Sequence, residues 1–129
     1  MKLLLDTHAL IWWLLDEPAL PKRVAGALRA ASNEIFVSSA SAWEIATKYR
    51  LGRMPQAESL VHGFREILDQ QRFSALPVTV EHALAAGLLK ADHSDPFDRM
   101  LVAQARLEGL RLVTGDQALK PLVPAVLWQ

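Results

Sequence analysis

Apolar stretches too short for a helix recur along this chain, each followed by a longer stretch with helical spacing, and that alternation restricts the fold more than any other feature. Lys2 to Leu5 is the first, a run of strand length ending at Asp6. Ala9 to Leu15 continues apolar at helical length, Glu17-Pro18 and Pro21 break it, and a second helical pattern resumes around Val24 and Leu28. Glu34 to Val37, β-branched and aromatic, predicts a strand running into the N-cap-rich cluster Ser38-Ser39-Ala40-Ser41. The helix from about Ser39 to Arg50 ends with Lys48 and Arg50 in its last turn and Gly52 beyond, and the C-terminal dipole accounts for Lys48, Arg50 and Arg53. An amphipathic helix is expected over Leu60 to Gln71, then a strand within Phe73 to Val80, a helix over Glu81 to Leu89 and a polar loop from Lys90 to Ser94. Asp95-Pro96 is a helix start with Asp as cap and Pro at the first helical position, and Gly109 closes that helix. Leu110 to Thr114 predicts a further strand, and the Pro-punctuated tail Pro121 to Trp128 an edge strand.

Strands alternating with helices imply parallel βαβ units. The expected fold class is therefore α/β, a single domain over residues 1–129 with a parallel sheet of about four to five strands flanked by helices on both faces. No cysteine is present, which excludes disulfides, thiolate metal sites and thiol nucleophiles. Asp6 and His8 interrupt the apolar N-terminal stretch, so it reads as fold rather than signal peptide, and no apolar run approaches the ~20 residues of a membrane span. A soluble, cytoplasmic protein is expected. Fourteen basic residues balance fourteen acidic ones, which argues against a general nucleic-acid-attracting field unless several acids gather under a cation.

Four acids occupy places that such a sheet brings together. Asp6 ends the first strand, Glu44 lies in the opening turns of the helix after the second, Asp98 begins the helix leading into Leu110 to Thr114, and Asp116 follows that strand. In an open parallel sheet all four project toward the edge formed by the strand carboxyl ends, where ligands bind. Carboxylates about 4 Å apart repel by about 4 kcal/mol at an effective dielectric near 20, so four together call for a cation. Oxygen ligands suit Mg²⁺ or Mn²⁺, which would activate water for phosphodiester displacement. Taken singly, each acid has a simpler reading. Asp6 caps a helix, Glu44 closes a capping box with Ser41, Asp98 is a favourable first-turn charge, and Gly115-Asp116 is a turn. Capping does not explain why all four share one edge.

Leu3-Leu4-Leu5-Asp6-Thr7-His8, Val37-Ser38 through Ser41-Ala42-Trp43-Glu44-Ile45, Asp95-Pro96-Phe97-Asp98-Arg99-Met100 through Ala105, and Val113-Thr114-Gly115-Asp116 form an ordered set spanning the chain. In that set the sequence resembles the PIN domains, and in particular the VapC-type toxins of bacterial toxin–antitoxin pairs. The resemblance implies a PIN-like fold with Asp6, Glu44, Asp98 and Asp116 as the catalytic, metal-binding acids. It also implies Mg²⁺- or Mn²⁺-dependent RNA cleavage, a homodimer, and inhibition by a cognate antitoxin occupying the active-site groove.

The neighbours of the quartet have paired readings. Asp95 is a second acid of the site or, more simply, the cap before Pro96; Thr7 and Thr114 orient ligands or satisfy strand-end backbone; Arg99 contacts phosphate or pairs on the surface. His8, His62, His82 and His93 lack metal-ligand spacing, so no imidazole site is expected, with His93 in the polar loop the one to test. Trp12, Trp13 and Trp43 are expected in the core rather than at an interface. Two rival functions remain. A receiver-type phosphoryl-transfer domain needs adjacent acids after the first strand and a partnering lysine after the last strands; Asp6-Thr7 offers only one acid, and no suitable lysine follows. A PIN-like module that binds RNA or protein without cutting would be expected to lack one of the acids, and none is missing.

Overall fold

The computed structural model describes all 129 residues. The chain begins with β1 (Lys2–Leu5), α1 (Thr7–Leu14), α2 (Lys22–Arg29), β2 (Glu34–Ser38) and α3 (Ser39–Arg50). It continues through α4 (Glu58–His62), α5 (Phe64–Gln71), β3 (Ser74–Leu76) and α6 (Val80–Leu88), and ends with α7 (Pro96–Glu108), β4 (Arg111–Val113) and β5 (Val126–Leu127). Every strand pair is parallel, in the order β3-β2-β1-β4-β5. The α/β expectation is met with five strands in one sheet.

β1 is the middle strand, and the pleat sends its alternate residues to two separate cores. Leu3 and Leu5 join Ile35, Val37 and Val113 against Leu10, Val24, Leu28, Ile45 and Leu68 from α1, α2, α3 and α5. Leu4 joins Leu112 on the other face, against Leu101, Val102 and Ala105 of α7. Leu3, Leu4 and Leu5 are all fully buried, which is why the strand reads as an unbroken apolar run. No helix is long and apolar enough to cross a membrane.

Strand order reverses between β1 and β4. β2 and β3 are laid outward on one side of β1, after which the chain crosses through α6 and α7 to lay β4 and β5 on the other. Such a reversal opens a crevice at the strand carboxyl ends, because the flanking connections leave in opposite directions. Asp6 closes the strands together there, its backbone N–H donating to the Val113 carbonyl at 3.0 Å.

The structure corrects one expected element. The helix expected over Leu60 to Gln71 is two helices, α4 and α5, because Gly63 between them has a non-helical φ of −129°. The short strand expected within Phe73 to Val80 is Ser74–Leu76, ending where Pro77 has no N–H with which to continue pairing at the sheet edge. Trp43 departs from the core expectation at 65% exposed, whereas Trp12 and Trp13 pack partly buried against the larger core.

The double-sided burial of β1 makes its centre the most sensitive point of the fold. Leu4→Ala leaves a cavity under α7 without touching any acid, and we expect it to lower unfolding free energy by about 3 kcal/mol. Urea denaturation at fixed slope checks this. A loss under about 1 kcal/mol would place the core elsewhere.

Candidate active site

Asp6 is 7% exposed and caps α1, its Oδ1 accepting from the Ala9 N–H at 2.7 Å. Helix start and strand end coincide here, so the Asp6 backbone is held by the sheet while its carboxylate is held by the helix start. Its pKa is raised above the ordinary aspartate value, first by burial and further by the negative charge of Asp98. Hydrogen bonds from Thr114 and Ala9, and the nearby His8, act in the opposite direction.

Glu44 projects from the second turn of α3 and is 5% exposed. Its Oε1 accepts from the Thr7 hydroxyl at 2.6 Å, and Oε2 takes the Lys48 ammonium from one turn further along the helix. The capping box anticipated with Ser41 does not form. The cap of α3 is Ser38, whose Oγ accepts from the Ala40 N–H at 3.0 Å, while Ser41 Oγ lies 3.0 Å from Thr7 Oγ1. Glu44 is thereby freed from local capping and turned toward the start of α1. Lys48 is more than a dipole partner, because it balances a buried carboxylate that would otherwise be costly.

Asp98 lies in the first turn of α7. Its pKa is also raised, by burial and by the charges of Asp95 and Glu44, against the hydrogen bond and charge of His93. His93 Nε2 is 2.9 Å from Asp98 Oδ2. Asp95 takes the structural role: its Oδ1 accepts from the backbone N–H groups of Phe97 at 2.8 Å and Asp98 at 3.1 Å, capping α7.

Thr114 follows β4, is 2% exposed, and accepts the Asp116 N–H on its hydroxyl at 3.1 Å. The same hydroxyl faces Asp6 and acts to lower its pKa. Asp116 is exposed, and its Oδ1 accepts from Ala118 N–H at 2.9 Å. Ligand atoms of His93, Asp98 and Asp116 all lie within 4.8 Å of one another. The Asp98 charge therefore acts on Asp6, feels that of Glu44, and stands close to Asp116.

Arg99 does neither thing anticipated for it. Its guanidinium donates to the carbonyls of Ala86, Gly87, Leu89, Ala91 and His93, fastening the loop before α7 to that helix. His93 is the site neighbour that sequence spacing set aside. Its position five residues before Asp98 becomes meaningful only once Arg99 folds the loop back.

Asp6 and Asp116 line a cleft of about 460 Å³ together with His8, Trp12, Gly115 and Trp128. Gly115 is required there, because a Cβ would stand 2.6 Å from the Trp128 ring. A separate apolar groove, lined by Trp43, Val78, Phe97 and Met100, contains none of the four acids. Trp43 stands edge-on to Phe97 there, with centroids 4.9 Å apart.

The chain is similar to known proteins in sequence and in fold. Ribonuclease VapC22 of Mycobacterium tuberculosis is 29% identical over 117 residues, covering 91% of this chain and 88% of its own. The tRNA(fMet)-specific endonuclease VapC of Shigella flexneri is 25% identical over 118 residues, covering 90% and 87%. Among solved structures, VapBC2 from Rickettsia felis bound to a promoter DNA fragment superposes with a TM-score of 0.73 at 18% identity, over 100% of both chains. FitAcB from Neisseria gonorrhoeae gives 0.67 at 18% identity, over 98% of this chain and 96% of that one. The PIN domain family model matches residues 3–122, from the first strand past the last of the four acids, and the chain accordingly belongs to the PIN domain family.

Proposed function

We propose that this chain is an endoribonuclease, the toxin of a toxin–antitoxin pair, and that Asp6, Glu44, Asp98 and Asp116 hold a Mg²⁺ or Mn²⁺ ion at which RNA is hydrolysed. The observation that carries this reading is the position of Asp98. Its carboxylate sits against the charges of the other acids, two of which are buried, in an arrangement that raises carboxyl pKa values and gains from a cation. At 4.8 Å, two carboxylates repel by about 3.5 kcal/mol at an effective dielectric near 20, less where water reaches Asp116. The donor set fits a hard divalent ion, with carboxylate oxygens predominant and thiolates absent. A cation held there supplies Lewis acidity, activating water and stabilising the oxygens of an in-line phosphodiester displacement.

The remaining residues prepare the acids. Thr7 and Lys48 fix the direction and charge of Glu44, and Thr114 and the Ala9 N–H fix Asp6. Asp95 and Arg99 hold the start of α7, and with it Asp98. The cleft beside Asp6 and Asp116 offers His8, Trp12 and Trp128, aromatic surfaces suited to stacking unpaired bases. The names of the relatives support RNA as substrate, and the solved relatives include toxin–antitoxin complexes, which supports a cognate antitoxin as partner. The reading further takes residues 1–129 as one ribonuclease domain, acting as a homodimer in the cytoplasm.

Purified chain should cleave RNA with Mg²⁺ or Mn²⁺ and stop with EDTA. Asp98→Asn and Asp6→Asn should each slow cleavage by about a hundredfold or more, corresponding to about 3 kcal/mol of lost transition-state stabilisation. Asn can still cap a helix, so Asp6→Asn keeps the fold. Sequencing RNA ends after expressing wild type and Asp98→Asn side by side reports substrate and site together. Undiminished cutting by both variants would refute the assignment.

The raised carboxyls also predict the pH dependence of stability without metal. A folded-state pKa above the unfolded one means the native state binds more protons in that interval, so the contribution of these two groups to stability is greatest below the ordinary aspartate value and falls as pH rises through the raised values of Asp6 and Asp98. Thermal melts in EDTA should show this fall in the wild type and a shallower one in either Asn variant. Mn²⁺ should raise the wild-type melting temperature at neutral pH and leave Asp98→Asn little changed. An identical pH slope in wild type and both variants would count against the proposed carboxylate energetics.

A further inference from the structure

Resting on the cation site proposed above, we propose that His93 is itself a ligand of that cation, so that the site carries one imidazole nitrogen among its carboxylates and favours Mn²⁺ over Mg²⁺. Three observations converge on the ring. His93 Nε2 is 2.9 Å from Asp98 Oδ2, and neighbouring ligands on an octahedral ion at about 2.1 Å stand about 3.0 Å apart. A ring nitrogen of His93 is also within 4.8 Å of an Asp116 carboxylate oxygen, so three side chains from the α7 approach and the β4 end gather around one position.

The third observation is that the loop is held in place. Arg99 Nη1 donates to the His93 carbonyl at 2.8 Å and to Ala91 at 3.1 Å, while Nη2 and Nε take carbonyls at the end of α6. Arg99 adjoins Asp98 in the same helical turn, so the segment that delivers the carboxylate also fixes the backbone of the imidazole. Side chains preorganised in this way lose little entropy when a ligand arrives. His93 is 20% exposed at its side chain, shielded enough to be oriented and open enough for an ion to enter. Ligation through Nε2 uses its lone pair, so the ring binds the ion as the neutral tautomer that carries its proton on Nδ1, any proton on Nε2 passing to water.

The chemical consequence is selectivity. Mg²⁺ prefers oxygen and keeps its water, whereas transition-series ions gain more from an imidazole donor. His8, near Asp6, is the other imidazole that a bound ion could meet, and it is exposed.

Pulsed electron paramagnetic resonance of Mn²⁺ bound to the purified full chain separates these possibilities. We expect hyperfine coupling from a directly bound imidazole nitrogen, altered when the wild type is grown on nitrogen-15 histidine. His93→Ala should abolish the coupling and weaken Mn²⁺ binding about tenfold or more by calorimetry, with a smaller loss for Mg²⁺, while His8→Ala retains the coupling. Mn²⁺ that binds the wild type, is lost in Asp98→Asn, and shows no histidine coupling would overturn the ligand assignment and leave the cation site standing. Coupling that persists in His93→Ala would do the same. Failure of Mn²⁺ to bind the wild type at all would overturn both.

Discussion

Parallel pairing of β1 with β2 on one side and β4 on the other is the constraint on which the rest of this molecule depends. Parallel strands bring their carboxyl ends to one edge, and the helices that return the chain begin at that same edge. Asp6, the cap of α3 and the residues after β4 are therefore neighbours by topology before any of their side chains interact. The Asp6 N–H to Val113 carbonyl bond extends the pairing one step beyond the strands, holding the crevice at the point where strand order reverses.

Onto that frame the chain places charges that oppose folding. Asp6 and Glu44 are almost wholly buried, and burial pushes both the Asp6 and Asp98 carboxyls upward. Their cost is offset locally by different means: backbone N–H and threonine hydroxyl at Asp6, threonine and lysine at Glu44, imidazole at Asp98. What remains is a set of oriented carboxylates whose mutual repulsion a divalent ion would relieve. Buried charge held at the edge where the strands end is thus supported by a packed core on each sheet face.

The position of Arg99 illustrates how stability and site geometry share residues. Five carbonyl acceptors gather on one guanidinium, so the loop between α6 and α7 has its backbone needs met without regular structure. That arrangement leaves no donor for a phosphate. It instead determines where His93 stands.

The sequence by itself determined the alternation of strand and helix, the α/β class, the capping of α7 by Asp95 and the shared edge of the four acids. Each is written in local patterns: apolar runs, N-cap residues and their order along the chain. Tertiary structure alone decided which partners those acids acquired. Ser41-x-x-Glu44 has the spacing of a capping box, yet Ser38 caps the helix and Glu44 turns to Thr7, 37 positions away in sequence, because α1 and α3 meet only in the folded chain. Likewise His93 shares no ligand spacing with any acid, and Trp43 has the composition of a core residue but stands exposed beside Phe97. Periodicity specifies the face a residue presents, while its neighbours across that face come from elements distant in sequence, and only packing brings them together.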